Sequence, residues 1–350
     1  MLKVLILQRG SLSSEKFVIS RSVHNRILEP IQYIEKTKKL KVEIDIQLPN
    51  DALNSNLNQY DIAIFCKHSC DTSVQLLNKL KNENVYIIHD IDDLIHKPYP
   101  GSIVDISNKK LMNLKLHLEK SDHIVFSNYH IQKICNEDFN IKKSCVIKTC
   151  FNIDKFHNKK YSPNKNSMMF TNGDNIKLEK FRAGFFQVFN DFLSENKELD
   201  FDIFGDSETY LKELNRYNFL GSLPWTEHKE YLMKNQSLFG VVPLSSKEEK
   251  KEHYGFTICK TPIKYYEYGS LSIPTIYSDS YIYTKVVENN VTGVIVENDK
   301  KSWKYALDEM IRNQEKRTTI ARNAYEDIFY THHIRFATYK WIELLQSFIF

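Results

Sequence analysis

Short runs of β-branched and aliphatic residues recur along this chain, each followed by a longer segment of helical spacing. That alternation restricts the fold to parallel sheets flanked by helices. The first run is Lys3 to Gln8, and Val42 to Leu48, Ile62 to Cys66, Val85 to Ile88, His123 to Ser127 and Cys145 to Thr149 repeat it. Segments such as Val74 to Leu80 lie between them. The first run reads as a buried strand, covered on both faces.

The series breaks at Asn158 to Ser167, a polar stretch that contains Pro163 and has no apolar period. It restarts with Met168 to Thr171, Phe201 to Phe204, Asn218 to Leu220, Phe239 to Pro243, Pro274 to Ser278 and Val294 to Val296. At 350 residues two domains are expected. The pattern predicts two Rossmann-like, doubly wound α/β domains facing across a cleft, 1–157 and 168–330, joined by a linker over 158–167. Residues 331–350 are expected to form a helix packing back toward the N-terminal domain.

A net charge of +4 spread along the chain excludes a dedicated nucleic-acid binder with a dense basic stripe. The six cysteines form no Cys-x-x-Cys pair and no His–Cys spacing that suggests zinc, so they read as reduced thiols. The apolar run of MLKVLILQRG is too short for a signal peptide and no stretch reaches bilayer length, so a cytoplasmic protein is expected.

The most informative stretch is Tyr254 to Asp279. Thr261 suits an N-cap, Pro262 the first helical position and Gly269 a left-handed C-cap, which predicts a helix from about Pro262 to Tyr268. Its first amides and the ammonium groups of Lys260 and Lys264 suit a diphosphate. Glu267, three positions after Lys264, suits the hydroxyls of a ribose. An ordinary capped helix with an internal Lys–Glu pair is the other reading.

Lys260-Thr261-Pro262-Ile263-Lys264-Tyr-Tyr-Glu267-Tyr, followed by Gly269 to Ile276, resembles the signature of GT4-like glycosyltransferases of the GT-B fold. The resemblance implies a nucleotide-sugar donor held by the C-terminal half, with Glu267 on the ribose and Lys264 on the departing diphosphate. Cys259 stands where many members place a first Glu that touches the transferred sugar; Glu252 and His253 are the nearby substitutes. Phe170-Thr-Asn-Gly173 resembles the loop that precedes the diphosphate contacts, and Lys177 is assigned to them. Phe201 to Gly205, Phe219 to Gly221 and Thr292 to Val296 resemble further family strands and turns, with Gly205 on the donor side. The family needs no metal and no cofactor beyond the sugar nucleotide, and the resemblance implies retention of configuration.

In the N-terminal half, Tyr86 to Leu94 resembles the family's D-x-D-D element. Carboxylates and an imidazole at the C-terminal end of a parallel strand face the ligand side of such folds, so His89 and Asp90 are read as positioning or deprotonating an acceptor hydroxyl. Asp92 and Arg26, the latter in an R-I-x-x-P-like helix opening, are read as acceptor contacts. A metal-bound DxD and plain turn-capping aspartates are the competing readings.

The acceptor class implied is a glycan, lipid-linked glycan or glycoprotein of bacterial surface synthesis. Lys109, Lys110, Lys115 and Lys120, interleaved with Leu111, Leu114, Leu116 and Leu118, offer peripheral contact with the inner face of the cell membrane. A helix with a wet face is the alternative. Two other functions fit the same pattern: a nucleotide-sugar epimerase of GT-B fold, and a non-catalytic partner subunit, for which Cys259 is the sign.

Overall fold

The computed structural model describes residues 1–8, 19–97, 107–156, 160–171, 185–205, 208–244 and 258–348. In chain order the first elements are β1 (Leu2–Leu7), α1 (Arg21–Val23), a π-helical turn (His24–Leu28), α2 (Glu29–Thr37), β2 (Val42–Gln47) and α3 (Pro49–Leu53). Next come β3 (Ile62–Cys66), α4 (Asp71–Asn82), β4 (Tyr86–Ile91), α5 (Asn108–Lys120), β5 (His123–Phe126), α6 (Tyr129–Asp138) and β6 (Ser144–Val146). A 3-10 turn (Ile153–Phe156) precedes β7 (Lys165–Thr171), α7 (Phe185–Glu195), β8 (Asp200–Phe204), β9 (Asn218–Gly221), α8 (Trp225–Lys234) and β10 (Ser237–Val242). The chain ends with α9 (Ile263–Ser270), β11 (Thr275–Ser278), α10 (Tyr281–Thr284), β12 (Val294–Val296), α11 (Lys300–Arg312), α12 (Gln314–Thr331) and α13 (Ile334–Gln346).

Two compact units result. Unit 1 comprises Met1–Asn152, Glu252–Thr261 and His333–Phe350; unit 2 comprises Ile153–Lys251 and Pro262–His332. Each holds one six-stranded sheet, and every strand pair is parallel. Each unit is a Rossmann-like α/β domain.

Unit 1 orders its strands β2-β1-β3-β4-β5-β6. The two-residue period of β1 divides its side chains between two cores. Val4 and Ile6 pack under α1, the π turn, α2 and α13 with Val23, Ile27, Ile31 and Trp341. Leu5 and Leu7 pack under α4 with Leu76, Leu77 and Leu80. Helix α13 completes the first layer from the far end of the sequence. Ile334 N–H donates to Phe151 O at 2.7 Å. The Thr338 hydroxyl donates to Pro30 O at 3.1 Å and Trp341 Nε1 to Arg26 O at 2.8 Å.

Unit 2 orders its strands β12-β11-β10-β7-β8-β9, the dinucleotide-fold order, with the reversal between β7 and β10. The segments after those two strands, 172–184 and 245–257, lie outside the described residues. Phe185 and Phe189 of α7 meet the buried Trp303 of α11 edge-on, at 5.1 and 5.9 Å between ring centroids. Gly240 in β10 is required by close approach, since a Cβ there would lie 2.9 Å from the ring of Tyr268.

Three local expectations are corrected. Strand β7 begins at Lys165, inside the polar stretch read as linker, because the backbone amides of Asn164 and Lys165 are taken up by Gln236 O next to β10. The expected strand Cys145 to Thr149 stops at Val146, where its pairing with Phe126 of β5 ends. Helix α9 starts at Ile263 with Pro262, not Thr261, as its N-cap, and Gly269 lies inside it. The left-handed residue past its end is Ser272, at φ 55. Gly269 is there for packing, because a side chain would run into Ile328 of α12.

Trp341→Ala is expected to destabilise unit 1 by about 3–5 kcal/mol, from lost burial and cavity formation. A urea unfolding curve checks it, the transition of unit 2 remaining in place.

Candidate functional site

In unit 2 the chemistry centres on Glu267. Lys264 and Glu267 are three residues apart on α9, and Lys264 Nζ donates to Glu267 Oε2 at 2.9 Å. His228 of α8 brings Nδ1 to 3.0 Å from Oε1. Glu267 is 1% exposed and His228 fully buried, with the edge of the Phe204 ring beside it. Burial alone would push the carboxyl up; the charges of Lys264 and His228 outweigh it and hold Glu267 well below its ordinary value of 4.5.

The adjacent Tyr268 ties α9 to the end of β7. Its hydroxyl accepts the Thr171 N–H at 2.9 Å and donates to Thr171 Oγ1 at 3.0 Å. Gly173 and Lys177 follow that point and lie outside the described residues, as do Glu252 and His253. Gly205 is buried at the end of β8, where its N–H donates to Gly221 O at 3.2 Å. Pro262, Ile263 and Lys264 are half-buried at the start of α9.

In unit 1 a second group gathers at the C-terminal ends of β3 and β4. Arg26, in the π turn, binds Asp90 through two of its guanidinium nitrogens, Nε to Oδ2 at 2.8 Å and Nη2 to Oδ1 at 2.5 Å. Its remaining nitrogen donates to Ile147 O at 3.0 Å and Thr149 Oγ1 at 3.2 Å. A π turn is a rare distortion that often marks a functional position, and here it directs the guanidinium inward. Burial opposes the Arg26 charge, but Asp90 outweighs it and raises the guanidinium above its ordinary value.

Around this pair, Lys67 Nζ lies 2.8 Å from Asp92 Oδ1 and 3.5 Å from Asp93 Oδ2. Ser22 Oγ donates to Asp92 Oδ2 at 2.7 Å. Burial would raise the Asp92 carboxyl, but the Lys67 and Arg26 charges hold it down at about 2. Lys67 sits at φ 53, backbone that costs a residue with a side chain about 1–3 kcal/mol.

His89 and Asp90 are the residues expected to position or deprotonate an acceptor hydroxyl. Both are fully buried: His89 Nε2 accepts the His68 N–H at 3.0 Å, and both Asp90 oxygens are taken by Arg26. They hold the strand end and the π turn, while Asp92, whose side chain is 16% exposed, stands nearer the solvent.

Cys259, Lys260 and Thr261, expected beside the donor, belong to unit 1. Cys259 packs with Ile91, Leu114, Phe126 and Ile131, and burial pushes its thiol up to about 12. Its carbonyl accepts from Asn128 Nδ2 at 2.8 Å. Lys260 Nζ lies 3.6 Å from Asp93 Oδ1. Sequence reasoning missed Lys67, Ser22 and His228, and gave Asp93 of the D-x-D-D element no role of its own. Lys67 had a signal, as the residue next after a predicted parallel strand; His228 had none.

Two predictions follow from these charges. Ionised Glu267 stabilises the folded unit at neutral pH, and that contribution fades as pH falls through the ordinary carboxyl value toward the depressed one. Urea stability of unit 2 is therefore expected to drop from about pH 5 downward, more steeply in the wild type than in Glu267→Gln. Arg26→Met is expected to cost about 3–5 kcal/mol by leaving a buried carboxylate unpaired, and Arg26→Met/Asp90→Leu less than either single substitution. A denaturation double-mutant cycle measures both.

Among the described residues no cluster of three or more His, Cys, Asp or Glu side chains could hold a metal, and no helix is long and apolar enough to cross a membrane. No curated protein sequence matches the chain. Among solved structures, the HepE protein of Anabaena in complex with UDP and glucose is similar over 99% of this chain and 100% of its own, at 14% identity and TM-score 0.66. Sucrose-phosphate synthase of Thermosynechococcus elongatus is similar over 100% and 99%, at 11% identity and TM-score 0.64. A glycosyltransferase of Rickettsia africae is similar over 99% and 98%, at 14% identity and TM-score 0.63. Residues 154–327, about half of the chain, match the family model of the glycosyl transferases group 1, and the two Rossmann-like units have the GT-B fold.

Proposed function

We propose that this chain moves a hexosyl group from a nucleotide-diphosphate sugar to an acceptor hydroxyl, with retention and without a metal, in the synthesis of a bacterial surface glycan or glycoconjugate. The observation that carries the reading is the buried, ionised Glu267 held between Lys264 and His228, inside the segment that matches the group 1 family. Uridine is the first base to try, since HepE of Anabaena has been solved with UDP-glucose.

In this reading Lys264 offsets the charge that grows on the departing diphosphate, which is electrostatic preorganisation. Glu267 accepts hydrogen bonds from the ribose hydroxyls. Lys67, Asp92 and Asp93 orient an acceptor on unit 1. The acceptor is a glycan, a lipid-linked glycan or a glycoprotein, met in the cytoplasm or at the inner face of the cell membrane.

Cys259 favours a second reading. It stands where many family members place a sugar-binding Glu, and its side chain is in the apolar core of unit 1. A non-catalytic partner subunit would bind the nucleotide and turn nothing over.

Calorimetric titration with UDP, GDP and CMP, and with their sugars, tests the proposal. One nucleotide diphosphate is expected to bind, and Glu267→Ala to weaken it by about tenfold or more, the loss of a charge-assisted hydrogen bond. Absence of binding by every nucleotide would overturn the donor site. Binding without sugar release or transfer would favour the partner subunit.

A further inference from the structure

Helix α2 runs out into Lys36-Thr-Lys38-Lys39-Leu-Lys41, four lysines within six residues. All four are exposed, and Lys38 takes left-handed backbone at φ 56 to turn the chain toward β2. This basic turn meets the outer face of α13, where Phe336 is 41% and Tyr339 43% exposed. Lys39 Nζ stands 4.6 Å from the centroid of Tyr339, Lys36 Nζ 4.7 Å from that of Tyr33, and the Arg335 guanidinium 4.9 Å from that of Phe336.

The face therefore interleaves cations with aromatic rings, of which Tyr33 and Tyr339 carry a polar tip and Phe336 is apolar throughout. With Arg335 and Lys340 it carries six cations. The exposed acids on α2 and α13 are Glu35 and Glu343, and Glu343 already accepts from Lys340 at 2.7 Å. Helix α5 differs. Lys109 pairs with Asp71 and Lys115 with Glu119, so two of its four lysines are neutralised within unit 1, while Lys120 donates to the uncharged amide of Asn78.

We infer that the face formed by α2, the turn after it and α13 docks on an anionic phospholipid bilayer. Each Lys or Arg near such a surface contributes about 1 kcal/mol, and the attraction dies away within a Debye length. Rings with polar tips favour the headgroup level. A nucleic acid would use the same cations; the paired, half-exposed Phe336 and Tyr339 on a helix face favour the bilayer. This inference stands apart from the donor site, because neither nucleotide nor Glu267 enters it.

The test is flotation of the full chain with vesicles of phosphatidylcholine alone and of phosphatidylcholine mixed with phosphatidylglycerol. Binding to the mixed vesicles only is expected, lost as salt is raised. Lys39→Glu/Lys41→Glu is expected to lower the partition coefficient by about tenfold or more. Phe336→Ala/Tyr339→Ala lowers it with no change of charge, whereas Lys109→Glu on α5 leaves it as in the wild type. Urea midpoints show whether the variants remain folded. The inference is overturned by equal binding to both vesicle types or none, or by folded face variants that bind like the wild type. Self-association that needs Phe336 and Tyr339, or tighter binding to single-stranded DNA than to the mixed vesicles, also overturns it.

Discussion

A parallel sheet is stable in water only when helices cover both of its faces, and in unit 1 that demand extends to α13 near the chain's end. Without this helix Ile31, Ile34 and the β1 side chains beneath them would lose part of their cover. Its Trp341 is fully buried and donates to the carbonyl of Arg26, the residue whose guanidinium holds Asp90. One π turn thus joins the cover of the sheet to the charged group at its strand ends, so core packing and site geometry in unit 1 are linked.

Most of this architecture is legible in the sequence because a doubly covered strand leaves a continuous apolar run. Ile62–Cys66 and Val294–Val296 can be delimited to the residue on that ground. Limits set by a neighbour cannot. Nothing local in Cys145 to Thr149 says that β5 will stop pairing at Phe126, and nothing in Tyr-Gly-Ser says that Ile328 will press on Gly269. A glycine near a helix end reads as a cap on statistics alone, and here the approach of α12 accounts for it.

The candidate site divides the same way. Lys264 and Glu267 are within reach because a helix brings i and i+3 together. His228 reaches the same carboxylate from α8, a tertiary meeting with no sequence signal. In unit 1 the motif Asp90-Ile-Asp92-Asp93 is visible as chemistry, but its division of labour is not. Which aspartate turns inward to a buried arginine and which meets Lys67 near the solvent depends on strand pleat and on the π turn.

The two units treat a buried carboxylate in different ways, and the difference bears on what each can do. Arg26 grips Asp90 with two parallel bonds in a site that is almost fully closed, an arrangement costly to break because both charges would be stranded. Lys264 meets Glu267 through one flexible, half-buried ammonium group, with His228 on the other oxygen. An ammonium is a point charge on a long stem and can turn toward a phosphate at small geometric cost. His228 would then remain beside the carboxylate, so Glu267 would keep a partner while it accepted hydroxyls. The bidentate pair is suited to fixing a scaffold, and the looser triad to exchanging one partner for a ligand.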